Sequence, residues 1–383
     1  MTARQTVYPR IRGDERGMAL ALALIAIVVI GALVGGAFAS GRLEIGSARA
    51  SLYATQAQQQ AEMAITEAMI NWDTRWNTMP TDSVWDGAVT TSGANRRVFT
   101  VTRLGANLLE VRGLGERLDA SGNTIGIRQI ARLVRLTHPT ISIQAAVTAT
   151  GNVTVGGNAE VTGNDEDPAG WTSCSGALDT LGGVRTTGTV GVGGAASVTG
   201  DPAEIENDST VTSALFTGPF NALMPLRNIT IPGTGTTSLN GMAPAVTGTP
   251  AYCDRSNTLN WGEPNRGVGH VAECVNYFPI IYTPGTLRVQ DGYGQGVLLV
   301  AGNLELRGNF IFDGLVIVLG EVKTNGTGNK VTGAVLASNA TIGDLTSFIG
   351  DPQIAFSSCA IFNALSNSAR GDYLNDRSWV QIY

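Results

Sequence analysis

The hydrophobic pattern divides the chain into three textures. Met18 to Ala39 reads MALALALIAIVVIGALVGGAFA, without a charged or strongly polar side chain. At about 1.5 Å per residue, such a run crosses the roughly 30 Å hydrocarbon core of a bilayer as one helix. From Ser47 to Met79 the pattern becomes amphipathic. Tyr53, Ala57, Ala61, Ile65, Met69, Trp72 and Trp76 recur at three- and four-residue steps, in a stretch free of Gly and Pro until Pro80. That spacing predicts an apolar stripe on a helix. As one rod, Met18 to Met79 would be roughly 90 Å long, with Gly41 and Gly46 as the places for a local break. Its first half suits lipid, and its second half suits docking on a globular head.

Beyond Val98 the pattern alternates. The segments 98–103, 107–112 and 127–136 place apolar and polar residues in turn, separated by Asn and Gly. They predict an antiparallel meander with one buried face that packs on the preceding stripe. After His138-Pro139 the texture changes again, and most of the 49 Gly lie beyond residue 140. Gly151-Asn152, Gly157-Asn158 and Gly163-Asn164 recur at six-residue steps, and Gly302-Asn303, Gly308-Asn309 and Asp313-Gly314 nearly keep that step. Short aliphatic runs lie between them, such as Leu304 to Leu306 and Leu315 to Leu319. Short strands at fixed steps predict a parallel β-solenoid, with Gly or Asn at corners where φ > 0 is cheap. The pattern is strongest at 296–362 and weak at 200–290, where Asp201-Pro202, Pro225 and 257–266 read as insertions. A Gly-rich sandwich with ordinary hairpins is the alternative.

Charge gives the chain a direction. Arg4, Arg10, Arg12 and Arg16 precede the apolar run. By the positive-inside rule the N-terminus is cytoplasmic and everything after Ser40 is exported. A secretory signal peptide with its exit at Gly36-Ala37-Phe38-Ala39 is the competing reading. Only 15% of residues are charged, the net charge is -6, and Lys323 and Lys330 are the only lysines. Without a basic run, nucleic acid is not expected as a partner.

The leader ends in Arg16-Gly17, an apolar helix follows at once, and Ala61-Glu62 sits far down its amphipathic half. This arrangement resembles the type IV pilin and pseudopilin class, and most closely the PilX-type pilus assembly proteins. The segment 296–360 also resembles the C-terminal part of PilX-type proteins that carry a β-helix. The resemblance implies a prepilin peptidase that cuts between Gly17 and Met18 and methylates the new terminus. Major members carry Glu at the fifth mature position, where this chain has Leu22. Some tip-located minor members also lack that Glu, so the resemblance implies a minor or tip subunit.

Four cysteines, Cys174, Cys253, Cys274 and Cys359, all lie in the part expected to be exported, and no CxxC is present. Two disulfides are expected in an oxidising compartment. Cys253–Cys274 would close the insertion, and Cys174–Cys359 would tie the first part of the solenoid to the last. No HExxH, P-loop, GxSxG or EF-hand pattern occurs. His138 and His270 read as turn and loop residues, and the acidic clusters 164–167 and 204–208 as solvated loops. Asp291, Glu305, Arg307, Asp313 and Glu321 are the group to watch for carbohydrate chemistry, although no spacing forces them together. No catalytic residue, cofactor or metal ligand is assigned.

The expected organisation is α+β and membrane-anchored. It comprises a basic leader (1–17), a transmembrane and amphipathic helix (18–80), a small antiparallel β head (81–140), a Gly/Asn-rich β-solenoid (141–363) with an insertion at about 200–290, and a C-terminal tail (364–383). The expected function is a non-catalytic subunit of a type IV pilus or type II secretion-like filament, or a factor in its assembly. It would be single-pass in the inner membrane. Its partners would be other pilin-like subunits, the membrane and the prepilin peptidase. The alternative is a membrane-anchored surface β-helix that binds or cleaves polysaccharide, with a surface or glycan ligand.

Overall fold

A computed structural model of the chain describes residues 16–137, 139, 141–171, 180–249, 251–326, 328–342, 351–374 and 379–382. Helix α1, Arg16–Ile70, is unbroken. The break expected at Gly41 or Gly46 does not occur. A glycine weakens a helix by about 1 kcal/mol but keeps its N–H, so the hydrogen-bond ladder continues. The helix stops at Ile70 rather than Met79. Asp73 competes for the backbone there: its side chain accepts from Arg75 N at 2.9 Å and opens a separate 3-10 turn, Thr74–Thr78. Trp72 and Trp76 therefore meet edge to face across a corner, 5.0 Å between centroids, and Trp76 packs on Phe99.

The head is a sheet of seven strands among the described residues. Asn95–Gly105, Leu108–Leu118 and Thr124–Thr137 form the expected antiparallel meander. Ala57, Ala61, Ala64, Ile65 and Ala68 of α1 are buried against it. The contact is unusually close. A Cβ on Gly113 would lie 2.2 Å from the Ala61 carbonyl oxygen, and one on Gly115 would lie 2.0 Å from that of Ala57. Residues two apart share one face of a strand, so these glycines form a bare track on which the helix backbone itself rests.

The C-terminal residues are not a tail. Arg370–Tyr373 and Trp379–Ile382 both pair antiparallel with Thr124–Thr137. The last strand of the meander otherwise presents an open edge, and the returning chain satisfies it.

The third part is a parallel sheet of fourteen strands among the described residues. Its rungs stack like on like. Leu287 faces Leu304; Val297 faces Leu315, which faces Ala334; Leu299 faces Ile317, which faces Leu336. All are buried. Leu315 to Val318 are buried on both faces because α3, Ser358–Asn367, packs across these strands, which explains the unbroken apolar run. Gly296, Gly314 and Gly333 lie in register with left-handed φ of 112°, 146° and 148°. Gly302 has a different reason from the one expected. Its φ is not left-handed, but a Cβ there would meet the Gly285 backbone at 2.7 Å.

The chain enters this sheet in the middle. Ala145–Ala149, Val153–Val155 and Glu160–Thr162 pair outward with Gly182–Thr186, Val190–Val192 and Ser197–Thr199. After α2, Ala214–Leu223, the chain continues on the other side. Thr236–Met242 and Ile280–Thr283 pair with Thr286–Val300, which leads through Leu304–Asn325 to Lys330–Ile342. The halves join where Lys330–Ile342 meets Ala145–Ala149 and Val153–Val155, and where Gln353–Phe356 lies between Lys330–Ile342 and Glu160–Thr162. The insertion expected at 200–290 is correspondingly smaller. Several strands from that stretch belong to the sheet, and the main excursion is 243–279. Pro219 lies inside α2 and Pro225 in a 3-10 turn, Met224–Leu226, and the strands wholly within this stretch are two to seven residues long, too short to show a pattern.

Head and large sheet are tied by buried and half-buried polar contacts. Asn77 Nδ2 donates to the carbonyls of Asn367 and Ala369, both at 2.8 Å, and Arg255 Nη1 donates to Thr74 Oγ1 at 2.8 Å.

The glycine track makes a prediction. Gly115→Val should force α1 off the sheet and lower unfolding stability by about 1–3 kcal/mol or more. Gly105→Val, where a Cβ would meet nothing within 4 Å, should be near neutral. Urea unfolding of both variants in micelles compares them; equal effects would show that the track does not set the docking distance.

Candidate functional site

Gly17 and Met18 lie in the first turn of α1. From Leu20 to Ile45 the apolar side chains are uncovered, for example Leu22 (63% exposed) and Phe38 (71%). This is the one helix among the described residues long and apolar enough to cross a membrane. Glu62 is exposed and accepts from Gln58 Nε2 at 3.2 Å. The ion pair from this half of the helix to the head is made by Glu67, with Arg97 at 2.9 Å.

Cys253 and Cys274 are joined, S–S 2.02 Å, and close the excursion. Cys359 is not a free thiol and packs against Trp171 and Phe278. Its expected partner, Cys174, lies outside the described residues.

The residues singled out for chemistry are scattered. Glu305 sits between Arg288 at 2.8 Å and Arg307 at 2.5 Å on the first stretch of its strand. Partly desolvated, it is nonetheless held below the usual carboxylate range by those two guanidinium groups. Asp313 lies beyond the corner at Gly308, and Glu321, paired with Lys323 at 3.2 Å, follows a later register shift. Asp291 braces the backbone, accepting from Asn309 N at 2.8 Å. The loop acids are also engaged. Asp165 accepts from Ser358 N at the start of α3, and Asp208 pairs with Arg185 at 2.5 Å. His270 is exposed, its Nδ1 2.7 Å from Gly267 O; His138 lies outside the described residues. No group of three or more His, Cys, Asp or Glu among the described residues is placed to hold a metal ion.

One concavity does gather chemistry. The disulfide-closed excursion folds onto the sheet at Gln295, whose Nε2 donates to the carbonyls of Val275 and Tyr277, both at 2.9 Å. Glu263 shapes the loop from within, its two oxygens accepting from Asn265 N and Val271 N at 2.9 Å. Trp171, on a second loop, braces the first. Trp171 Nε1 donates to Pro264 O at 2.9 Å, and the Arg266 guanidinium lies 4.6 Å from the ring centroid of Trp171. Past these loops the sheet is left open as a cleft of about 240 Å³. Its floor is one row of neighbouring strands, Tyr293, Ile311 and Lys330 in register, with Asp313 and Thr332 in the adjacent row. Pro264, Asn265 and Ala169 form its walls.

Asp313 is 5% exposed and hydrogen-bonds to the Thr332 side chain. Burial pushes its carboxyl up to about 7, against the opposing pull of Thr332, Lys330 and Arg266. Sequence reasoning named Asp313 among nearby charged residues without a reason to bring them together. Its partners Lys330 and Thr332 are on the next strand, and Asn265 is on a loop closed by a disulfide. The available signal was a lone acid inside the apolar run FIFDGLVIVL.

No family model matches the chain, and no curated protein matches it. Among solved structures, an ice binding protein from an Antarctic biological consortium aligns at 15% identity, covering 56% of this chain and 91% of that one, with a TM-score of 0.29. A likeness that loose carries no argument about fold or function.

Asp313 predicts a pH dependence. Its carboxyl titrates near 3.8 unfolded and near 7 folded, so the folded state holds a proton that the unfolded state has lost. Stability therefore falls as pH rises from about 4 to 7, by up to about 4 kcal/mol, and levels above that. Asp313→Asn should abolish this loss. Urea unfolding of both proteins between pH 4 and 8 measures it, and parallel curves would contradict it.

Proposed function

We propose that this chain is a minor or tip subunit of a type IV pilus-like or type II secretion-like filament, or of its assembly machinery, anchored by α1 in the inner membrane. The observation that carries the reading is the division of α1. One continuous helix is apolar from Leu20 to Ala39 and stays uncovered through Ile45, then is buried against the head along Ala57, Ala61, Ala64 and Ile65. Uncovered apolar surface of that extent needs lipid or similar helices around it. Arg16-Gly17 before the run and Leu22 at the fifth position after it support a processed, minor subunit.

The mechanism is packing rather than catalysis. The helix leaves lipid for a bundle of like helices, and the rigid load travels with it because the second half of α1 is part of the head. We read the large parallel sheet as a β-solenoid whose coils stack at about 4.8 Å. The like-on-like rungs and the glycine ladder Gly296–Gly314–Gly333 support that reading. It gives the subunit a stiff outer body for capping or contact.

Two measurements test the proposal. Mass spectrometry of the mature protein, with and without reduction, should find an N-methylated Met18 and two disulfides. An intact Met1, or a terminus after Ala39, contradicts filament processing. Val28→Asp, in mid-run and 67% exposed, places a charge that costs about 2.5–3.5 kcal/mol at the centre of a spanning helix. Most of the protein should then leave the membrane fraction, with the head's circular dichroism unchanged.

A further inference from the structure

We propose that the cleft over Tyr293, Ile311 and Lys330 binds one pyranose ring of a neutral glycan. The argument starts from what the fold leaves unused. Ile311 is 37% exposed although its strand neighbours Phe310 and Phe312 are buried. It lies in register between Tyr293 and Lys330. The three side chains stand about 4.8 Å apart along the sheet, giving a floor with an aromatic end, an aliphatic middle and a cationic end. No carboxylate among the described residues lies within ion-pair distance of Lys330 Nζ. Asn265 uses its Oδ1 to accept from Gly267 N at 2.8 Å, and its Nδ2 has no acceptor among the described residues. Asp313 has one described hydrogen bond, to Thr332.

The charge pattern selects the ligand. A cation would meet Lys330 and Arg266, and an anion, drawn by Lys330, would be repelled by the Asp313 carboxyl once that ionises near neutral pH. A metal ion would find a single carboxylate. A neutral polyol suits both, because each hydroxyl donates and accepts. It can donate to Asp313 and accept from Lys330 Nζ and Asn265 Nδ2, while its C–H face lies on Ile311 and the Tyr293 ring. At about 240 Å³ the cleft falls below the usual range for drug-sized ligands, which limits it to one ring. The walls are fixed before binding by Gln295, Glu263 and the Cys253–Cys274 bond, so little loop ordering opposes association. The proposal does not depend on how α1 is used.

Saturation-transfer NMR and calorimetry on the full chain, in a sugar-free zwitterionic detergent, test it. The probes are methyl β-D-glucopyranoside, methyl β-D-galactopyranoside, methyl N-acetyl-β-D-glucosaminide and methyl α-D-galacturonide. At least one neutral glycoside should saturate with a Kd on the order of millimolar, and more tightly than the galacturonide. Lys330→Met and Asp313→Ala should each weaken it by about tenfold, and Glu305→Gln, on another stretch of the sheet, should not. Lys330→Met removes a half-buried charge without opening the core, so it reads out binding even if Asp313→Ala unfolds. Saturation by none of the neutral glycosides, preference for the galacturonide, or undiminished binding by Lys330→Met would each overturn the proposal.

Discussion

The carbonyl oxygens of Ala57 and Ala61 occupy the space where side chains of the underlying sheet would stand. Helices usually rest on sheets through side chains; here backbone rests on backbone along Gly113 and Gly115. The close approach removes slack from the joint between an apolar rod and everything it carries. Ala57, Ala61, Ala64 and Ala68 are all small, so the helix side matches the bareness of the sheet side. A larger residue on either surface would tilt a rod whose far end lies some tens of ångströms away, at about 1.5 Å per residue.

The joint is reinforced by the other end of the chain. After α3 crosses the large sheet, the polypeptide returns to the head and adds Arg370–Tyr373 and Trp379–Ile382 to it. Asn77, at the corner where α1 gives way, donates to the carbonyls of Asn367 and Ala369 just where α3 gives way to that return. Trp72 Nε1 donates to Asn77 Oδ1 at 2.9 Å, so the amide is held at both ends. Head and large sheet are therefore laced by the corner after α1 and by the last part of the chain, not joined by a single linker. Relative motion would break buried hydrogen bonds that leave unsatisfied groups behind, which is more costly than sliding an apolar contact.

Much of this is legible in the sequence. The apolar run, the stripe on the second half of α1, the meander and the steps of Gly-Asn pairs follow from local periodicity, and each corresponds to an element found. What stayed hidden is non-local. The end of α1 at Ile70 depends on Asp73 capturing Arg75 N, against a composition that favours helix throughout. The return of the C-terminal strands depends on an open edge more than two hundred residues upstream. The strand expected at 107–112 stops short of Gly113 and Gly115, and only the approach of α1 explains two glycines inside a strand that runs to Leu118. In the cleft, Asp313 stood out as an acid in an apolar run. Its neighbours were not readable, because the register between neighbouring parallel strands decides that Thr332, and not Glu305 or Glu321, stands beside it.

The order of the large sheet has a consequence for how such a body forms. Gln353–Phe356 lies between Lys330–Ile342 and Glu160–Thr162, so the stack is completed at its middle by one of the last strands made. The segment 145–205 has no partner on its inner side until the chain has traversed α2, the disulfide-closed excursion and three further long strands. Contacts of this sequence separation carry a large loop-closure cost before they return any stability. The open inner edge of Ala145–Ala149 and Glu160–Thr162 would meanwhile invite pairing with other chains. The short length of those strands and their Gly-Asn corners limit that hazard, since isolated strands of three to five residues pair weakly. The same late closure places α3, the last cover over the apolar run Leu315–Leu319, and the C-terminal strands in one step. The body becomes continuous, the strand that floors the cleft acquires its neighbour Gln353–Phe356, and the rod is locked to its load when the chain's end docks.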